Sequence, residues 1–182
     1  YSSIGQVGYL LMGIVALGHV SSDGITLSTL ASNGILLHLV GYGFTTLAIF
    51  VGVITYSNFG KEDISDYAGA ARRAPFLAMV MTAGLFSLAG LPFFAGFVTK
   101  FYLFTAVASE GFLWLVGLAI LNSLISFYYY LIIVRQMYIE APSDETPVHL
   151  SPLTNGVLAM LFLGIIAIGL YPAPLVKVIA AA

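Results

Sequence analysis

Five long apolar stretches constrain the fold more than any other feature of this sequence. A helix needs about 20 apolar residues to cross a hydrocarbon core of roughly 30 Å. Five stretches reach about this length: 1–20, 30–55, 75–108, 112–138 and 152–170. They lack the alternation of membrane strands. Only 8% of all residues are charged, which is too few for the surface of a water-soluble domain. The sequence therefore predicts an all-α, polytopic membrane helix bundle with about five transmembrane helices.

The two ends carry an expectation about the extent of the chain. Residue 1 is Tyr, and the sequence opens inside an apolar run without a basic flank, unlike a signal peptide. We therefore expect the sequence to begin inside a longer protein. The segment Pro174–Ala182 is expected to be a natural C-terminal end.

The placement of charge agrees with five crossings. Every charged residue except Lys100 lies in a predicted loop or near the end of a span. The loops 58–74 and 140–151 share one face of the membrane, which we call the basic side. Its basic residues are Lys61, Arg72, Arg73 and Arg135. The opposite face, the tail side, has only Lys177. The positive-inside rule therefore predicts that the basic side is cytoplasmic, or its organellar equivalent.

Lys100 is the strongest candidate for a functional residue. It lies ten residues before Glu110, which places it about 15 Å from the tail-side interface. A charge at that depth costs at least about 2.5–3.5 kcal/mol, and desolvation favours the neutral amine. Such a lysine can load and release a proton when a neighbouring charge changes. The alternative is a structural lysine that pairs with an acid elsewhere in the full protein.

The third span contains a helix-breaking sequence before this lysine. Gly90 is conformationally permissive and Pro92 lacks a backbone donor, so the helix is expected to break at Gly90-Leu91-Pro92. Broken helices recur at ion-transport sites. An ordinary proline kink is the alternative.

The second span offers polar partners for this site. His38 and Tyr42 are four residues apart and share a helix face, and Thr45 and Thr46 follow one turn later. Histidine relays protons readily near neutral pH, which makes His38 a candidate relay and Tyr42 a candidate channel residue. Hydrogen bonding that only serves helix packing is the alternative for all four.

The fourth span adds Asn122 and Ser126. They share a helix face and are candidates to hold a water near Lys100. Polar contacts between helices are the alternative.

Several classes of chemistry are excluded by composition. The sequence has no Cys, which excludes thiolate metal sites, Cys-ligated iron–sulfur clusters and Cys nucleophiles. Its three histidines, His19, His38 and His149, are too scattered to suggest a metal or haem site. A net charge of −2 gives no reason to expect nucleic-acid binding. We therefore predict no redox centre, cofactor or metal on this chain.

Two motifs resemble a known family. The opening YSSIGQVGY, Tyr1–Tyr9, is similar to the start of a late helix in the antiporter-like subunits of respiratory complex I, the proton-pumping NADH:quinone oxidoreductase. The block SLAGLP, followed by GFVTKFY at Gly96–Tyr102, resembles the broken twelfth helix of that family. This resemblance extends over nearly the whole chain.

The resemblance implies a particular place for the chain in a larger fold. The family has 14 helices arranged as two inverted five-helix modules with additional helices, and the five spans resemble helices 10–14. Residues 1–182 would then be a partial proton-translocating membrane domain, most of the second module plus the last helix. Lys100 matches the family's twelfth-helix lysine, to which proton exchange is assigned. Tyr42 lies near the position at which some sister subunits carry a channel histidine.

The resemblance also implies partners and a function. It predicts a proton-translocating subunit of an NADH (or ferredoxin):quinone oxidoreductase, an enzyme only as part of that complex. Flavin, iron–sulfur clusters and quinone would lie elsewhere in the complex. The partners would be lipid, the N-terminal half of the same subunit, sister antiporter-like subunits and other membrane subunits. A bacterial inner membrane is expected, with thylakoid or mitochondrial inner membranes as alternatives. Two other functions stay open: a subunit of a multi-subunit sodium/proton antiporter, and a structural scaffold with a vestigial channel.

Overall fold

The computed structural model describes residues 1–21, 24–58, 63–142 and 146–181, and most of this length is helical. Its helices are α1 (Ser2–Leu17), α2 (Thr29–Ser57), α3 (Ala70–Arg73), α4 (Pro75–Ala89), α5 (Ala95–Ser109), α6 (Leu113–Tyr138), α7 (Pro152–Leu170) and α8 (Ala173–Ala180). A 3-10 turn covers Ile64–Tyr67. The loop charges Asp23, Lys61, Glu62, Asp144 and Glu145 lie outside the described residues.

The all-α membrane fold is confirmed. Within the described ranges, α2, α6 and α7 are long and apolar enough to cross a membrane alone. The predicted third span is divided between α4 and α5, each 15 residues long. Helix α1 has 16 residues, about 24 Å, and is therefore shorter than a full crossing.

The first tail-side turn differs from the prediction. Helix α1 ends at Leu17 rather than near Val20, and the chain continues as β1 (Gly18–Ser21), which pairs antiparallel with β2 (Gly24–Leu27). The hairpin is short, with four residues in each strand, and the all-α assignment of the chain stands. An Asp-Gly pair between two β-prone runs is the sequence signal typical of such a hairpin.

Helix α2 is the centre of the bundle. It packs against α1, α4, α5 and α7, and most extensively against α5. The largest cluster of buried apolar side chains lies between α2, α4, α6 and α7. This arrangement brings the polar residues of α2 against both halves of the divided third span.

A buried arginine stabilises the loops on the basic side. Arg73 is 6% exposed, and its Nε donates to the Thr146 carbonyl at 3.1 Å. Its own carbonyl accepts from the Val148 amide at 3.0 Å. Nearby, the rings of Tyr56 and Tyr67 pack with their centroids 4.6 Å apart. Burial raises the pKa of the Tyr67 hydroxyl, so this tyrosine stays neutral at physiological pH. These contacts hold the segment that precedes α7 against α3, and the 3-10 turn against the end of α2.

Candidate functional site

The third span breaks at Gly90 for a local conformational reason. Gly90 has φ 84°, in the left-handed region, and its amide bonds back to the carbonyls of Phe86 and Ser87. The Leu91 amide also donates to Phe86, which completes a Schellman-type helix end. Pro92 lies in the irregular segment between the two helices. Helix α4 therefore ends inside the apolar part of the span.

A close backbone approach holds α5 against the end of α4. A Cβ on Gly96 would overlap the Ser87 carbonyl, so only glycine fits at this position. The Gly96 amide, which has no partner within the first turn of α5, donates to Ser87 Oγ at 2.9 Å. Thr45 Oγ1 lies 2.9 Å from Ser87 Oγ and donates to the Gly41 carbonyl. Thr45 of α2 thus holds the Ser87 hydroxyl in place at the break.

Side chains satisfy the two carbonyls that the break leaves free. Lys100 Nζ donates to the Leu88 carbonyl at 2.7 Å, and Gln6 Nε2 approaches the same oxygen at 3.4 Å. Ser123 Oγ donates to the Ala89 carbonyl at 3.1 Å. Three different helices, α1, α5 and α6, therefore supply the donors that cap α4.

Lys100 is enclosed by neutral and electron-rich groups. The residue is 4% exposed to solvent. Its Nζ lies 3.2 Å from Ser123 Oγ and 4.9 Å from the centroid of the Tyr9 ring. The ring face and the C-terminal end of α4 both favour a positive charge here. No acidic side chain in the described part of the chain pairs with it. The ammonium group is therefore held without a counter-ion from these residues.

His38 also packs against Tyr9 and is buried. Its Nδ1 is 3.1 Å from Thr99 Oγ1, and its ring centroid is 6.2 Å from that of Tyr9. The ring stacks on Tyr42 with the centroids 6.5 Å apart. Its Nε2 is buried and has no hydrogen-bond partner among the residues described. The structure thus brings both His38 and Lys100 against the ring of one tyrosine.

The remaining predicted residues are placed less directly. Asn122 donates from Nδ2 to Tyr9 Oη at 3.0 Å, and Ser126 donates to the Asn122 backbone carbonyl at 2.7 Å. Neither side chain contacts Lys100. Thr46 Oγ1 is buried without a hydrogen-bond partner in the described ranges.

Sequence reasoning missed several residues of the site. They are Gln6, Tyr9, Ser87, Thr99 and Ser123. Gln6 carried a usable signal, because a buried amide inside an apolar span is rare without a partner. The others were indistinguishable from ordinary packing residues until the contacts between helices were known.

Three cavities adjoin the site, and the largest, of about 600 Å³, is lined by Tyr9, Asn122 and Ser126. The other two lie next to the break. One, of about 400 Å³, lies between α5 and α6 and is lined by Gly90, Lys100 and Ser123 together with phenylalanines. The other, of about 430 Å³, lies on the basic side of the break and is lined by Tyr42, Thr46 and residues of α1, α4 and α6. The described residues contain no cluster of three or more His, Asp or Glu that could hold a metal ion.

These features define a class: a bundle of apolar helices around a broken helix with a buried cationic residue. A family profile identifies the group within that class. The profile described as "NADH:quinone oxidoreductase/Mrp antiporter, TM" matches residues 1–126, and the chain belongs to this family.

Curated relatives support the same assignment. The chain is 39% identical over 177 residues to a protein of Moorella thermoacetica named NADH-quinone oxidoreductase subunit N, covering 96% of this chain and 35% of the relative. It is 42% identical over 175 residues to a protein of Rhizobium meliloti named subunit N 2, covering 95% and 34%. The resemblance to the antiporter-like subunits of complex I, within the branch of subunit N (subunit 2), is therefore confirmed. The chain spans about a third of the length of these relatives.

Solved structures share the fold. The Mrp complex from Dietzia sp. DQ12-45-1b contains a chain that superposes with a TM-score of 0.81 at 18% identity, over 96% of this chain and 39% of that one. Respiratory complex I from Thermus thermophilus with bound aureothin gives 0.65 at 20% identity, over 100% and 45%. At this identity the likeness concerns the fold alone.

Proposed function

We propose that this chain is part of a proton-translocating membrane subunit of an NADH- or ferredoxin:quinone oxidoreductase, and that Lys100 exchanges the proton. The observation that carries the proposal is the environment of the Lys100 amine. It is buried at a helix break and held by a backbone carbonyl, a hydroxyl and an aromatic ring. Intramembrane ionisable residues on broken helices usually serve ion pathways.

The surroundings of Lys100 suit a group that changes its charge. The acceptors on Leu88 and Ser123 stabilise the ammonium form without fixing it, because neither is ionised. A like charge at about 7 Å contributes about 2.4 kcal/mol at an effective dielectric near 20. Moving one charge against 100 mV costs about 2.3 kcal/mol. A charge that arrives nearby is therefore sufficient to drive the release of a proton.

His38 is proposed as the relay to this lysine. Its Nε2 has no bond to a described residue, and both the imidazole and the amine pack against the Tyr9 ring. Tyr42, Thr45, Thr46, Asn122 and Ser126 would line or support the route. Release would occur towards the tail side.

The proposed function places the redox chemistry elsewhere. Flavin, iron–sulfur clusters and quinone would be held by other subunits of the complex. The partners would include sister antiporter-like subunits and the rest of the same subunit, in a bacterial inner membrane. Residues 1–182 would form most of the second inverted module plus the last helix.

The test is a Lys100→Met substitution in the assembled complex, reconstituted in sealed vesicles. We expect proton pumping to fall by at least about tenfold, because general acid–base chemistry at this position is lost. Lys177→Met, on exposed α8, is the control and should pump normally. Normal pumping by Lys100→Met would reject the proposal and favour the structural scaffold.

The second candidate is a subunit of a sodium/proton antiporter. The family to which the chain belongs includes Mrp antiporters as well as NADH:quinone oxidoreductases, which supports this candidate. Sodium-dependent proton exchange in vesicles without NADH, ferredoxin or quinone would identify this function. Pumping that requires redox turnover would identify the first.

A further inference from the structure

The cavity between α5 and α6 has the composition of a site for an apolar ligand. It measures about 400 Å³. Sites for small molecules are typically clefts of about 300–1,000 Å³ with mostly apolar and aromatic walls and a few polar groups. Among the described residues that line this cavity, only Lys100 and Ser123 have polar side chains. The proposed function uses the lysine and gives the cavity itself no role.

The mouth of this cavity lies on the exposed apolar surface of the bundle. Phe97 and Phe101 of α5, and Ile120 and Leu124 of α6, line the cavity and are each at least 41% exposed. The two phenylalanine rings stack with their centroids 6.3 Å apart. Exposed side chains within a membrane span contact the acyl chains of the bilayer. A ligand would therefore enter this cavity from the hydrocarbon.

The floor of the cavity exposes the lysine because the break has a glycine at position 90. A Cβ on Gly90 would lie 3.5 Å from Lys100 Nζ and 3.7 Å from Ser123 Oγ. Since glycine has no Cβ, both polar atoms can be reached from the cavity. The ammonium group has three N–H donors, and two of them bond to the Leu88 carbonyl and to Ser123. The third has no oxygen acceptor among the described residues.

The chemistry of the floor and the walls selects one kind of ligand. Charged groups within a membrane almost always pair with another group, and Lys100 has no acidic partner in the described part of the chain. A carboxylic acid supplies the acceptor, and a hydrocarbon chain matches the phenylalanine walls. The phosphate of a phospholipid stays at the interface, roughly 15 Å from the bilayer centre. A fatty acid can reach this depth because its head group becomes neutral when protonated.

We infer that the cavity between α5 and α6 binds the carboxyl end of a long-chain fatty acid from the bilayer, with the Lys100 amine as its polar partner. The acid enters as neutral R–COOH, so no charge crosses the hydrocarbon. Its O–H proton passes to the neutral amine, which leaves an ammonium–carboxylate pair without net charge. A paired amine does not release its proton. This inhibitory consequence rests on the proposed function, whereas the binding does not.

The affinity should depend on the head group rather than on the hydrocarbon chain. Acyl chains are as apolar as the side chains of the walls, so the hydrocarbon chain gains little when it leaves the lipid. A hydrogen bond to a charged group is stronger than a neutral one. A methyl ester with the same hydrocarbon chain has no acidic proton and forms no carboxylate. The ester is therefore the matched control for the acid.

The test is photolabelling of the assembled complex in sealed vesicles. The probe is hexadecanoic acid with a diazirine in its chain, and its methyl ester is the control. Labelled peptides are quantified by mass spectrometry. Labelling is measured instead of pumping because fatty acids themselves carry protons across bilayers. We expect the acid to label α5 and α6 at the cavity at least about tenfold more than the ester, because the ester lacks the charged hydrogen bond.

Two pairs of variants test the mouth and the floor. Leu124→Trp narrows the mouth, and Leu121→Trp adds the same bulk to an exposed leucine of α6 outside the lining. Labelling by the acid should fall at least about tenfold in the first and by less than about twofold in the second. Lys100→Met should also lower labelling at least about tenfold. Lys100→Arg, which keeps a cationic donor, should retain it.

Two results would overturn the inference. One is equal labelling of α5 and α6 by the acid and the ester, and the other is labelling that Lys100→Met does not lower. If a variant fails to assemble, the comparison of the two probes on the unmodified complex decides. The outcome is separate from the pumping experiment. Labelling that needs Lys100, in a complex that pumps without it, would leave the fatty-acid site standing and remove the proposed function.

Discussion

The polar groups around Lys100, called the lysine side, and those around His38 and Thr46, called the histidine side, are satisfied in different ways. On the lysine side, Lys100 donates to the Leu88 carbonyl and to Ser123, and Ser123 donates to the Ala89 carbonyl. On the histidine side, His38 Nε2 and the Thr46 hydroxyl are buried without a bond to any residue that the structure describes. The described residues satisfy the polar groups of the lysine side and leave these two atoms of the histidine side without a partner.

This difference separates holding a charge from moving one. A network of fixed donors and acceptors keeps the Lys100 amine in one position, because each partner would be left unsatisfied if the amine left. Buried atoms without protein partners instead require a mobile one, which water provides. We therefore assign storage of the proton to the lysine side and its delivery to the histidine side. The following substitutions test this division.

Gly96→Ala should have the largest effect on the lysine side. The added Cβ overlaps the Ser87 carbonyl, and α5 must move away from α4. We expect a loss of about 1–3 kcal/mol in the free energy of unfolding. The measurement is the thermal midpoint and yield of the assembled complex. Gly117→Ala, in α6 with open space around it, is the matched control and should be neutral or stabilising. An equal response of both variants would contradict the close approach.

His38→Leu should separate function from stability on the histidine side. It removes an imidazole whose Nε2 has no bond among the described residues, while Thr99 keeps its contact with the Gly96 carbonyl. We expect stability within about 1 kcal/mol of the unmodified complex. Pumping should fall by about tenfold, since a relay is lost. Loss of assembly together with loss of pumping would instead make His38 a packing residue.

Ser123→Ala should lower the free energy of unfolding by less than Gly96→Ala does. The Ala89 carbonyl loses its donor and Lys100 loses one acceptor, which we expect to lower the free energy of unfolding by about 0.5–1.5 kcal/mol. Ser126→Ala is the control, because Ser126 donates only within its own helix. Thermal unfolding of both variants measures the difference. A neutral Ser123→Ala would show that the network does not hold the amine.

Thr46→Val should have the smallest effect. It keeps the shape of the side chain and removes a hydroxyl that has no bond to the described residues, so stability should not fall. Pumping should drop by about twofold, which corresponds to about 0.4 kcal/mol in the barrier. Thr82→Val, which loses a bond to its own helix at Ala78, serves as the comparison. Unchanged pumping in Thr46→Val would show that this hydroxyl takes no part in proton transfer.

The sequence predicted most of the architecture because hydrophobic length is a strong signal. The span 152–170 matches α7, and the break at Gly90 follows from a glycine and a proline in an apolar run. The hairpin of β1 and β2 was missed because four-residue strands leave little periodicity to detect.

The site was predictable only in part. A lysine in an apolar span is conspicuous in any sequence, so Lys100 could be singled out. The identity of its partners depends on how helices rotate against one another. Ser123 faces the amine while Asn122, one residue earlier, faces Tyr9, and no sequence period distinguishes these two directions.

The central claim, that an amine at position 100 carries the proton, is tested most directly by removing that amine and restoring it. Since the chain has no other cysteine, Lys100→Cys can be alkylated with 2-bromoethylamine, which builds a lysine-like aminoethyl side chain. Modification is quantified by mass spectrometry, and Lys100→Ala treated identically controls for cysteines elsewhere in the complex. We expect Lys100→Cys to lose pumping and to regain it in proportion to the modified fraction. A fully modified complex that does not pump, or an unmodified one that does, would contradict the account.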